Sequence, residues 1–304
     1  MSFSQDIKEE LCQCINDRDK EYGCLYGMLL FCRRFDAGEI VFQTENPLVR
    51  DMFVRLCGRV INGRVAETES KKRSAVLYSL SVPEESDREE IIYRYRISSR
   101  SLVHRIQEDN ITNNNVFAFL AGAFLSCGSM AEPMKEYHFE FAVPYRELCE
   151  DLGSLLGRLG IVSRYVERKG VYVLYLKGSE AIEDILTMMG ASRASIELMN
   201  VKILKDVRNK ANRIANCDSA NIERTLKASQ KQIEDIEYIM QAGSLDDLSE
   251  ELRNMALLRL ENPDVSLSEL GAMLDKPVGR SGANHRLRRL SEIAAELRER
   301  TADI

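Results

Sequence analysis

The sequence predicts an α+β protein: two pseudo-symmetric α/β repeats followed by an all-α domain that contains a helix-turn-helix. Three observations lead there. Five elements recur in the same order at a nearly constant offset, with Leu25 answered by Leu120 and Glu39 by Tyr137. After Asn200 the composition changes and each segment has helical spacing. Near the C-terminus a capped short helix, a glycine-containing turn and a strongly basic helix follow one another. The length of 304 residues suits more than one core, and 44% apolar content is ample to pack them. The expected boundaries are residues 1–112 and 113–200 for the repeats, 201–221 for a basic, Asn-rich linker helix, and 222–304 for the helix-turn-helix domain.

Each repeat begins with an apolar helical run, LYGMLLFCR at residues 25–33 and LAGAFLSCG at residues 120–128. Strands follow at 39–44 and 137–143. In the second of these Tyr137, Phe139, Phe141 and Val143 alternate with His138, Glu140 and Ala142, the period of a half-buried strand. Amphipathic helices come next at 47–61 and 145–159, the first with Pro47 just inside an Asn46 cap. Strand pairs at 64–69 with 75–82, and at 162–168 with 171–176, complete the repeats. One departure is expected: an extra strand at 91–97, where Arg94 and Arg96 alternate with Tyr93, Tyr95 and Ile97.

The paired nine-residue runs resemble the LAGLIDADG motif of homing endonucleases, and LAGAFLSCG matches its opening Leu-Ala-Gly directly. The resemblance implies two motif helices side by side between two saddle-like sheets. Close helix approach requires small residues, and Gly27 and Gly122 hold the same third position, with Ala121 beside the latter. The family's nucleases carry an acid at the eighth motif position to hold a divalent metal, but this sequence has Cys32 and Cys127 there. A neutral thiol is a poor ligand for a hard cation. Asp36 lies a turn beyond Cys32, whereas its counterparts in the second repeat are Ala131 and Glu132. The two cysteines read as small apolar fillers at a tight helix contact, with a redox pair as the alternative. No catalysis, metal or cofactor is expected; a metal-dependent endonuclease is the competing reading.

In residues 201–216, VKILKDVRNKANRIAN, the side chains of Lys202, Lys205, Asn209, Asn212, Arg213 and Asn216 share one helical face. Ile203, Leu204, Val207, Ala211, Ile214 and Ala215 occupy the other. The polar face is either plainly solvated or a phosphate-contacting surface, which its Lys, Arg and Asn composition suits. The tripeptide Cys217-Asp218-Ser219 is expected to interrupt the helix, with Asp218 or Ser219 capping a further one through Ile239. A loop at 241–244 leads to a helix that ends near Leu260 at Asn262-Pro263-Asp264. Residues 266–274 carry a capping box, Ser266 with Glu269, and Gly271 is expected where two helices cross closely. Residues 275–279 form the turn and 280–290 the recognition helix. Ala283, Leu287, Leu290 and Ala294 make its inward stripe, which leaves Ser281, Asn284, His285 and Arg288 outward, flanked by Arg280, Arg286 and Arg289. Arginine pairs bidentately with guanine and asparagine with adenine in the major groove, so this helix is the candidate reader of double-stranded DNA.

The net charge of -6 does not exclude that partner, because the charge is segregated. Residues 202–213 carry +4 and 276–289 carry +5, while 214–275 carry -8. The longest apolar runs fall short of the ~20 residues of a membrane span, the N-terminus lacks the basic-then-apolar pattern of a signal peptide, and the eight cysteines contain no CxxC pair. A cytoplasmic, nucleoid-associated protein without membrane partners is expected. The segment LAGAFLSCG, the stretch at 200–221 and the ending SGANHRLRRL together resemble the WhiA regulators of Gram-positive bacteria over essentially the whole chain. That resemblance implies a transcription regulator linked to sporulation or to cell division and chromosome segregation. It also implies a helix-turn-helix similar to the promoter-reading region of sigma factors, and a sigma factor of RNA polymerase or another regulator as protein partner. An interaction scaffold without base readout is the remaining alternative.

Overall fold

A computed structural model describes residues 2–71, 76–97, 104–243 and 245–302, and the chain divides into two compact units, Met1–Asp206 and Val207–Ile304. The first repeat comprises α1 (Phe3–Cys14), α2 (Arg18–Leu30), β1 (Arg34–Phe35), β2 (Ile40–Thr44), α3 (Pro47–Ile61), β3 (Ala66–Lys71), β4 (Val76–Ser81) and α4 (Glu85–Arg94). The second comprises α5 (Val116–Cys127), β5 (Gly128–Met130), β6 (Phe139–Val143), α6 (Arg146–Arg158), β7 (Arg164–Arg168), β8 (Val171–Leu176) and α7 (Ser179–Met189). Then come α8 (Ser192–Gln241), α9 (Glu250–Glu261), α10 (Leu267–Ala272) and α11 (Arg280–Ala302).

The repeat is explicit in the topology. Both sheets are antiparallel with the same strand order, β1-β2-β4-β3 and β5-β6-β8-β7. Period-two alternation buries Phe139, Phe141 and Val143 of β6 and turns Glu140 and Ala142 away from the core. Phe124 of α5 stacks on Phe139 at 4.9 Å, and in the other repeat Phe42 stacks on Phe53 at 4.6 Å. Asn46 caps α3 as its sequence suggests, its side chain accepting from the backbone N–H groups of Leu48 and Val49.

Helices α2 and α5 meet at their glycines. A Cβ on Gly27 would lie 2.2 Å from the carbonyl oxygen of Phe119, and one on Gly122 would lie 2.1 Å from that of Cys24. The obstruction is backbone on both sides, which no rotamer change relieves. Around this seam Cys24, Leu25, Met28, Phe119, Ala123 and Phe124 are buried completely.

Two expectations are corrected. Residues 91–94 end helix α4 instead of forming a strand. The Tyr/Arg alternation also satisfies helical spacing: Ile91 and Tyr95 turn inward one turn apart, Tyr93 is open to solvent, and Arg94 pairs with Glu90 at 2.6 Å. Nor does the chain break at residues 217–219, since α8 runs through them. Asp218 and Ser219 are exposed there, and an exposed interior position costs such residues only a few tenths of a kcal/mol, about 0.5. Ala75, expected to open a strand, and Ser244, in the expected loop, lie outside the described residues.

The second unit packs Ile236 and Ile239 of α8, Met255 of α9, Leu270 of α10, and Ala283, Leu287, Leu290 and Ala294 of α11 into one core. Arg298 of α11, itself exposed, donates to the buried Asp235 carboxylate of α8 at 2.7 Å. Replacing Gly122 with Ala is expected to destabilise the first unit by about 3 kcal/mol, at the upper end of overpacking costs, because two helix backbones must separate. Thermal denaturation of the full chain measures it, with Gly157→Ala, where an added Cβ meets nothing within 4 Å, as the control.

Candidate nucleic-acid interface

The geometry of the C-terminal helices starts at Ser266, whose side chain and Glu269 form the reciprocal capping box that begins α10. Gly271 is needed for a close approach, but its neighbour is the turn and not the next helix. A Cβ there would lie 2.3 Å from the carbonyl oxygen of Val278, and the Val278 N–H donates to the Gly271 carbonyl at 3.0 Å. That contact sets where α11 starts. Ala283, Leu287, Leu290 and Ala294 are at most 1% exposed, so the opposite face of α11 is held outward. Ser281, Asn284, His285 and Arg288 lie on it at helical spacing, and all four are exposed, as is Arg280 at the first turn.

The flanking arginines differ in their attachments. Arg286 is drawn in against α9, its Nη2 3.0 Å from Glu251, with the side chain only 18% exposed. Arg288 and Arg289 contact Glu292 at 3.4 and 3.0 Å, and Arg289 also approaches Glu296 at 3.9 Å. The hydrogen bond from Arg289 holds the Glu292 carboxyl below its ordinary range; slight burial opposes this, and the charges of Arg288, Arg289 and His285 reinforce it. Such exposed pairs are weak and exchange readily for a phosphate. Among the described residues Arg280 has no carboxylate partner.

The expected basic face on α8 divides. Lys202 lies 3.5 and 3.7 Å from Glu180 and Glu183 of α7. Lys205 donates to the carbonyl of Pro133 at 2.7 Å and sits 4.3 Å over the Tyr137 ring. Both lysines fasten the start of α8 to the second repeat. Asn209, Asn212 and Arg213 remain exposed, and so do Ile203, Leu204, Val207 and Ile214 on the opposite face.

At the motif positions both thiols are held in the protonated form. Burial pushes Cys32 up to about 12, and its Sγ donates to the Arg34 carbonyl at 3.0 Å. Burial likewise raises Cys127 to about 12, against the pull of nearby Lys8. All eight cysteines are free, so no disulfide joins Cys32 to Cys127. Asp36 is committed locally: its carboxylate accepts from the N–H groups of Gly38 and Glu39 and from Arg34 Nε. Burial raises its pKa, but these bonds outweigh that and leave it below the ordinary value. Among the described residues no three His, Cys, Asp or Glu side chains are grouped to hold a metal, and no described helix is long and apolar enough to cross a membrane.

The molecule is thus a LAGLIDADG-like repeat protein joined to a C-terminal helix-turn-helix. The model of the WhiA LAGLIDADG-like domain matches residues 116–208, and that of the WhiA C-terminal HTH domain matches residues 211–294. The chain is 37% identical to the probable cell division protein WhiA of Thermoanaerobacter pseudethanolicus, covering 99% of both chains. Against the protein of the same name from Clostridium perfringens it is 37% identical over 98% of this chain and 99% of the other. It superposes on the crystal structure of full-length DUF199/WhiA from Thermotoga maritima with a TM-score of 0.60 and 26% identity, over 97% of this chain and 99% of that one. The chain belongs to the WhiA family.

A thiol raised to about 12 stays protonated and unreactive at pH 8, so Cys32 and Cys127 are expected to resist alkylation in the folded protein while the exposed Cys217 is modified first. Peptide mass spectrometry after timed iodoacetamide treatment checks the order.

Proposed function

We propose that the protein is a sequence-specific, double-stranded-DNA-binding transcription regulator that reads promoters through α11, and that its LAGLIDADG-like unit does not cut DNA. The single observation that carries this reading is the outward face of α11. Ser281, Asn284, His285 and Arg288 project from a helix whose other side is locked into the core, with Arg280 and Arg289 at its margins. Asparagine and arginine on such a face match adenine and guanine edges, and the marginal arginines match phosphates. Asn209, Asn212 and Arg213 add a second exposed cluster able to meet the backbone, whereas Lys202 and Lys205 serve α8 itself.

The absence of cleavage is supported by chemistry at the motif ends. A hard divalent cation needs carboxylate oxygens, and protonated Cys32 and Cys127 offer none. The half-buried Lys8 beside Cys127 adds a positive charge that opposes a metal there. We infer a role in cell division, which the relatives named for cell division support, and with it a link to chromosome segregation or sporulation and action in the cytoplasm at the nucleoid. A sigma factor or a second regulator is the protein partner we infer.

The test is binding of the full chain to duplexes selected from a random pool, followed by fluorescence anisotropy across salt concentrations. Changing Arg280, Arg288 and Arg289 to Ala is expected to weaken binding and to lower the salt slope by roughly one counterion per lost phosphate contact. Affinity unchanged by that triple change overturns the reading, and Mg²⁺- or Mn²⁺-dependent cutting of the pool overturns its second half. Lys202→Ala with Lys205→Ala is expected to lower the melting temperature and leave the salt slope unchanged.

A further inference from the structure

Within the second unit a cleft of about 390 Å³ opens between α8, α9, α10 and the first residue of α11. Among the described residues three guanidinium groups line it, those of Arg224, Arg259 and Arg280, together with Gln232, Ser266 and Ser268, and no carboxylate does. This is unusual in its setting, because residues 214–275 are strongly acidic and the other arginines of α11 before residue 299 reach a carboxylate.

Arg259 is the decisive residue. It is only 2% exposed, and no acid pairs with it among the described residues. Its Nη1 donates to the carbonyls of Val265 at 2.9 Å and of Asn262 and Pro263 at 3.4 Å, while its Nε has no acceptor. An enclosed guanidinium without a counter-charge is costly to the fold, and burial alone pulls its pKa down. The buried Oε1 of Gln232, another residue that lines the cleft, has no donor among the described residues. The two orphaned atoms are complementary in kind: one wants an acceptor, preferably anionic, and the other a hydroxyl or N–H. Among the described residues Arg224 is held only by the Asn221 side chain at 3.2 Å, and the exposed Arg280 adds the third charge.

We propose that this cleft is a binding site for a small phosphorylated molecule with a sugar hydroxyl or base N–H, the chemistry of a nucleotide or sugar phosphate. The phosphate sits among Arg224, Arg259 and Arg280, and the donor meets Gln232. The volume falls within the range of small-ligand pockets. A phosphate in a DNA backbone reaches only the rim, because a duplex is far too wide to follow it down to a side chain as enclosed as Arg259. Since Arg280 also belongs to the proposed DNA-reading helix, an occupant neutralises one of its charges and lowers DNA affinity. That coupling rests on the proposed function; the binding site does not.

Calorimetric titration of the full chain, at low salt and without DNA, tests the site with ribose 5-phosphate and adenosine 5′-monophosphate, and with adenosine as the unphosphorylated control. The phosphorylated probes are expected to bind saturably to one site and adenosine not to bind. Arg224→Ala should weaken binding by about tenfold, the loss of one charge-assisted hydrogen bond. Thr225→Glu, which places a carboxylate on the exposed wall of the cleft, should abolish it. No saturable binding of either phosphorylated probe at millimolar concentration, or an affinity that both variants leave intact, overturns the proposal. Loss of duplex affinity in Arg224→Ala without any small-molecule binding also overturns it, and assigns the arginines to the DNA backbone. Failure of DNA binding alone, with the probes still bound, counts against the proposed function and not against the cleft.

Discussion

The contact between Gly27 and Gly122 is the constraint on which the first unit depends. Because neither glycine carries a Cβ, two helix backbones approach until each would exclude a methyl group on the other. Everything in the repeats is arranged around that seam. Each motif helix leads into a four-stranded sheet of the same order, and aromatic residues such as Phe42 and Phe139 fill the space between helix and sheet. At the motif ends burial raises both thiols, Cys32 beside the Arg34 carbonyl and Cys127 beside Lys8. That is why Cys32 and Cys127 are protonated thiols and why the seam reads as a structural device.

The second unit solves a different problem, that of presenting one face of a helix while hiding the other. Its device is again a close backbone contact, Gly271 against Val278, which starts α11 at a defined place. The buried stripe from Ala283 to Ala294 then sets its rotation. Charge is handled locally: Glu251, Glu292 and Glu296 neutralise Arg286, Arg288 and Arg289 at rest. The exposed pairs of Arg288 and Arg289 are weak and limit non-specific attraction without forfeiting those arginines for a specific site. The cleft lined by Arg280 stands outside that pattern, since among the described residues no acid pairs with its arginines.

Much of this was legible from spacing. The Asn46 and Ser266 caps and the inward stripe of α11 depend on residues within a few positions of one another, the repeat and its two glycines on one pattern that recurs later in the chain, and the structure agrees with each. The readings that failed were local patterns with two solutions. Residues 91–97 alternate like a strand, yet Ile91 and Tyr95 also make one inward helical turn, and packing chose the helix. Asp218 and Ser219 cap helices well, but in the open they are also tolerated inside one.

By itself the sequence determined the order of elements, the close-packed positions and which face of α11 is polar, because these follow from backbone sterics and hydrophobic periodicity over short range. Only the tertiary structure decided which charges are free. Lys205 meets Pro133 and Tyr137, and Arg286 meets Glu251. A side chain's charge is spent or available according to partners that lie tens of residues away, and no local pattern encodes that distance.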